Sequence, residues 1–131
     1  MDESVFETQF NEFSKIKWTD LALIAIRTKR QDNVDDLILD VVGLYWEIGV
    51  KFELCFEDTT FLHLSIDFAS KRSCSDAFDG AACHSGSVWK TSLIQSNPHD
   101  DFSSYLHFEM GLVPKGGKID LLARSFTFRR L

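Results

Sequence analysis

The sequence predicts an α+β domain, an N-terminal helix packed on a mainly antiparallel sheet of about six strands, and three observations carry that prediction. Phe6, Phe10 and Phe13 recur at i, i+4 and i+7, which places three rings on one helical face. From Leu21 onward, apolar residues mostly alternate with polar ones, the period of a strand with one buried face. Short polar or glycine-containing breaks separate these runs at distances that suit hairpins. A chain of 131 residues is long enough to bury its own core, so residues 1–131 are read as a single domain.

The helix is expected from about Asp2 to Ile16. Asp2, Glu3 and Ser4 supply acids and a cap at its start, and Lys15 and Lys17 lie near its end, as the helix dipole prefers. In the first strand Leu21, Leu23, Ala25 and Arg27 share one face, while Ala22, Ile24, Ile26 and Thr28 share the other, which looks the more continuously apolar. The polar run Lys29–Asn33 marks a turn, and Leu37, Leu39 and Val41 then alternate with Asp36, Ile38 and Asp40 to complete a hairpin. Gly43 and Gly49 bracket Leu44-Tyr45-Trp46-Glu47-Ile48, which reads either as the end of that strand or as a wide connection.

Val50, Phe52, Leu54 and Phe56 alternate with Lys51, Glu53, Cys55 and Glu57, the clearest strand pattern in the chain. After the break at Glu57–Thr60, Leu62, Leu64, Ile66 and Phe68 suggest a second hairpin. Residues 69–101 lose the alternation, and short helices are expected near 75–83 and 88–95. Leu106, Phe108, Met110 and Leu112 restore the strand period, a turn follows at Pro114–Gly117, and a last strand from Ile119 to Phe128 carries apolar groups on both faces.

Composition narrows the function classes. No window approaches the roughly 18 apolar residues of a membrane span, and Met1-Asp2-Glu3-Ser4 is acidic where a signal peptide is basic, so a cytoplasmic, non-membrane protein is expected. Three cysteines, Cys55, Cys74 and Cys83, make no complete pairing scheme and suit a reducing compartment. Net charge is −6, with 13 acidic and 6 basic side chains in residues 1–58 against 7 and 8 in residues 59–131. That balance opposes direct nucleic-acid binding, which needs a cationic surface, and suits a basic protein partner.

Catalytic and cofactor motifs are absent from the sequence. Cys74, Cys83 and His84 are ligand types that zinc selects, but the spacing is not that of a paired-cysteine site. Asp79, Cys83 and His84 together offer a nucleophile, a base and an acid on paper, without a nucleophile elbow around them. Asp35-Asp36, Glu57-Asp58 and Asp100-Asp101 read as hydrated turns, and Gly116-Gly117 lacks the surroundings of a phosphate loop. No cofactor and no metal is expected from these patterns.

The order of pieces resembles small bacterial immunity-type proteins of toxin–immunity systems. The resemblance runs through Trp18–Ile26, Asp36–Val41, Phe52–Phe68 and Ile119–Phe128, and it departs at Thr19-Asp20, where many such proteins have His-Asp. It implies a non-enzymatic protein that neutralises a basic toxin domain and carries over no functional residue. The residues that fit a charged, aromatic-anchored contact are Asp36, Asp40, Trp46, Glu57 and Asp58. A structural or regulatory homo-oligomer is the alternative, and a small hydrolase using Cys83 and His84 is a third reading.

Overall fold

The structure, a computed structural model, describes residues 3–65, 76–113 and 117–131. Helix α1 (Glu3–Lys15) and a single 3-10 turn at Trp18–Asp20 precede β1 (Leu21–Gln31), β2 (Val34–Gly43), β3 (Lys51–Glu57), β4 (Phe61–Ser65) and β5 (Asp76–His84). Helix α2 (Val88–Ser96), β6 (Leu106–Val113), β7 (Lys118–Ala123) and β8 (Ser125–Arg130) follow. The expected α+β class holds, but the sheet has eight strands, in the order β4-β7-β6-β5-β1-β2-β3-β8, rather than about six. All its strand pairs are antiparallel. The expected continuation of the fourth strand through Ile66 and Phe68, residue Cys74 and most of the Pro114–Gly117 turn lie outside the described residues.

Two changes of phase explain the miscount. In β5 the pairing shifts between Phe78 and Gly80, so the buried residues are Phe78 and then Cys83, one even and one odd. That segment shows no alternation in sequence and had suggested a helix near 75–83. The expected last strand breaks at Arg124: Ile119, Leu121 and Ala123 face the core before it, and Phe126 after it. A third shift, between Leu23 and Ala25 in β1, puts Leu21 and Leu23 inside and leaves Ile24 exposed, which corrects the expected even-numbered apolar face. The hairpin between β1 and β2 closes through Asp32 and Asn33, both with positive φ, a two-residue turn whose twist matches its strands.

The order of strands dictates the shape. β7 and β8 are joined by Arg124 alone yet stand near opposite ends of the order, so the sheet must curl until those ends meet. Phe52, Leu54 and Phe56 from β3, Leu37, Leu39 and Val41 from β2, and Leu106, Phe108, Met110 and Leu112 from β6 line the inside. α1 packs against β5 and β8. Its Phe13 is fully buried, with ring centroids 4.8 Å from Trp18, 5.1 Å from Phe108 and 5.1 Å from Phe126. Burying such a side chain contributes about 2–3 kcal/mol, and each edge-to-face pair adds ~1 kcal/mol. No helix among the described residues is long and apolar enough to cross a membrane.

Candidate functional site

Two places on this frame carry side chains that packing alone does not explain, and the first is the β2–β3 loop, residues 44–50. Asp20 is buried beneath it and accepts hydrogen bonds at Oδ1 from the backbone N–H groups of Tyr45 (2.6 Å) and Trp46 (3.0 Å). The Asp20 carbonyl accepts a third, from Leu44 N–H at 2.8 Å. Burial alone would push the Asp20 carboxyl up, but the N–H groups of Trp46, Tyr45, Glu47 and Leu44 outweigh it and hold its pKa below the usual carboxylate value. Gly43 lets the loop fold back on itself, because a Cβ there would collide with the Glu47 carbonyl.

The loop therefore has a fixed backbone and projecting apolar side chains. Tyr45, Trp46 and Ile48 are 72%, 78% and 75% exposed. Lys17 lies over the Trp46 ring, 5.4 Å from its centroid. Beside the ring a cleft of about 510 Å³ is lined by Glu12, Ile16, Trp46, Phe52 and Phe128, the last two stacked at 5.0 Å. The choice left open by the sequence at residues 43–49 thus resolves as a connection.

The five residues expected to form one contact surface do not come together. Trp46 stands at one end of the β2–β3 hairpin. Asp40 lies midway along β2, where Arg27 grips it at 2.9 and 3.1 Å and also reaches Glu53 at 2.6 Å; Glu53 in turn receives Arg129 at 3.2 Å. Those carboxylates hold the Arg27 guanidinium protonated well above its usual range, chiefly through the Asp40 hydrogen bonds. Asp36, Glu57 and Asp58 sit at the far end of the hairpin, about 20 Å along the strands from the loop at ~3.3 Å per residue. There Asp36 accepts Asp58 N–H, Asp58 accepts Tyr105 Oη–H and pairs with Arg124 at 2.6 Å, and Glu57 accepts the Ser125 hydroxyl. Asp40 and Asp58 are compensated charges, so the expected acidic patch is a charge-paired face at one point and a strand corner at the other.

The second place is the outer face of β5, β6 and β7 under α2. His107 is buried, its Nδ1 2.7 Å from Ser87 Oγ and its Nε2 2.7 Å from Asp120 Oδ1. Ser87 caps α2, its Oγ accepting Lys90 N–H at 3.1 Å, which leaves its own hydroxyl proton to donate to Nδ1 and places the His107 proton on Nε2 toward Asp120. Burial pushes the His107 pKa below its usual value against the opposing pull of Asp120, so the ring is neutral at pH 7. His84 Nε2 lies 3.1 Å from Glu109 Oε1, and Lys118 Nζ bridges Glu109 Oε2 at 3.3 Å and Asp120 Oδ2 at 3.7 Å. Burial raises the Glu109 carboxyl, but hydrogen bonds from His84 and Lys118 outweigh it and leave it lowered. Trp89 covers the His107 ring at 4.7 Å, and Lys90 donates from Nζ to the carbonyls of Ser85 and Tyr105 at 2.8 Å each.

No family model, curated protein or solved structure matches this chain at a significant level. The site is accordingly read from its own chemistry. Ser87, His107 and Asp120 are linked in series by hydrogen bonds, and because Ser87 also caps α2 the three side chains tie that helix to the sheet. Cys83, proposed from sequence as a nucleophile beside His84, points the other way, into the core; burial alone pushes its thiol up to about 12, far from a thiolate. The sequence signal for the polar cluster was His107-x-Glu109 on one face of a strand. Its partner Asp120 depends on strand register and was not readable.

Proposed function

We propose that this chain is a non-enzymatic binding protein of the immunity type, which docks a basic toxin domain on the 44–50 loop. The observation that carries the reading is a loop with Tyr45, Trp46 and Ile48 in solvent over a backbone tied to a buried carboxylate. Keeping large apolar groups hydrated is unfavourable, and an already ordered loop loses little conformational freedom when a partner covers it. Tyr and Trp in such positions supply most of the energy of many interfaces. Glu12 and Glu47 border the cleft together with Lys15 and Lys17, so the preference for a basic partner rests on the net charge of −6 of the whole chain. The alternation that resembles immunity-type proteins supports the same role.

A homo-oligomer is the second reading, favoured by Leu62 and Leu64, which stand about two-fifths exposed on β4 at one end of the strand order. Purification of the full chain from cells that make it, followed by mass spectrometry of stoichiometric co-eluting proteins, separates the two. The binding reading expects a basic protein whose affinity falls at least tenfold with Trp46→Ala, a loss of about 1.4 kcal/mol or more, while circular dichroism stays unchanged. Equal retention by Trp46→Ala would overturn it, and recovery of a multimer of this chain alone would favour the second reading.

A further inference from the structure

Strand register gathers a patch of metal-ligand side chains that the docking loop does not use. His63 on β4 is paired with Asp120 on β7, Asp120 with Glu109 on β6, and His107 on β6 with His84 on β5. Three of the four histidines of the chain and two carboxylates thus share the outer face of four neighbouring strands. The ligand atoms of His107, Glu109 and Asp120 all lie within 4.8 Å of one another.

We infer that His107 Nε2, Asp120 Oδ1, Glu109 Oε1 and His84 Nε2 form a binding site for one divalent transition-metal ion of the zinc class. Tetrahedral zinc, with bonds of about 2.0–2.1 Å, sets its ligand atoms about 3.3 Å apart. The His107–Asp120 and His84–Glu109 pairs stand at 2.7 and 3.1 Å; His107, Glu109 and Asp120 already lie close enough together to share an ion, and His84, held at Glu109, completes the set by swinging its ring toward them. Two imidazoles with two carboxylates favour zinc, cobalt or nickel over calcium or magnesium, which prefer oxygen alone.

Supporting groups are in place around these ligands. When Nε2 binds the ion, the neutral His107 ring carries its proton on Nδ1 instead and donates it to Ser87 Oγ, which accepts it alongside Lys90 N–H. Lys118 holds the outward oxygens Glu109 Oε2 and Asp120 Oδ2, so it turns Oε1 and Oδ1 toward the histidines. A groove of about 460 Å³, bordered by Asp79, Gly80, Glu109, Gly111 and Lys118, opens to solvent at the Glu109 and Lys118 side of the cluster. Lys118 also sets a limit, because its ammonium repels the incoming cation.

The test uses the full chain, stripped with a chelator and titrated with zinc alone by calorimetry and with cobalt alone by visible absorption. One equivalent per chain and the intense visible bands of four-coordinate cobalt are expected. Glu109→Gln and His84→Ala, both at partly exposed positions, should each weaken binding at least tenfold, and His99→Ala should leave it unchanged. Lys118→Met should tighten it several-fold by removing the competing charge. Circular dichroism of each variant confirms its fold, so an unfolded His107→Ala does not decide the matter. Less than one equivalent, or equal affinity for the wild type, Glu109→Gln and His84→Ala, would overturn the site and leave the docking-loop reading untouched.

Discussion

Asp20 is a carboxylate nine-tenths removed from solvent, and such a group stays ionised only where donors surround it. Here the donors are the amides of the very loop it organises. Because the folded pKa lies below the usual carboxylate value, the contribution of Asp20 is fully present above about pH 4 and is lost as pH falls through the folded value. The loop is therefore expected to keep its order from pH 7 down to 5 and to loosen only in stronger acid. Asp20→Asn should release the Tyr45 and Trp46 amides to fast hydrogen exchange at pH 7 while β2 and β3 stay protected. Protection of those two amides equal to that of the wild type would show that Gly43 and the strand ends order the loop without the carboxylate.

At the scale of elements, Ser87 acts twice on α2: it caps the helix through Lys90 N–H and ties it to the sheet through its hydroxyl bond to His107. Ser87→Ala should cost about 1–2 kcal/mol, the usual loss for a removed cap, read as a lower denaturant midpoint at unchanged slope. Ser87→Thr should recover most of it. The same scale shows what sequence conveyed. α1 was legible from the spacing of its rings, and β2, β3 and β6 because each keeps a single phase of alternation between its turns; β1 was legible as a strand, but its shift after Leu23 hid which face turns inward. β5 and the break between β7 and β8 were not, because a pairing shift after Phe78 and the single residue Arg124 reverse which side faces inward. Periodicity reads one phase at a time, and each reversal erases it. The same limit hid the polar cluster, since Glu109 and Asp120 meet only through the β6–β7 register, whereas Trp46 was visible as a bulky residue between two glycines. The length of the hairpin separates Trp46 from the acids grouped with it by composition: Asp36, Glu57 and Asp58 gather at its far end and Asp40 lies between.

For the molecule as a whole, one continuous core runs from Phe13 to Phe126 through every sheet layer it touches. Among the described residues it forms one cluster, so unfolding by denaturant is expected to be a single transition. Tryptophan fluorescence and far-ultraviolet circular dichroism should give the same midpoint. Separate midpoints would mean that α2 and the outer face of β5–β7 melt ahead of the rest.

The one-residue link at Arg124 reaches beyond the finished architecture to the way the chain acquires it. β7 pairs with β6 and β4, and β8 pairs with β3, so residues 118–130 zip two edges that remain open until this segment arrives. The Phe56–Phe126 pairing closes a span of 70 residues, a non-local step of the sort that slows folding. During synthesis, β3 and β6 would each emerge with an unpaired edge and an uncovered aromatic face, waiting on the ribosome for the strand that joins them. A chain interrupted before Lys118 keeps both edges open, and the same pairing rules that complete this molecule would then recruit a neighbour.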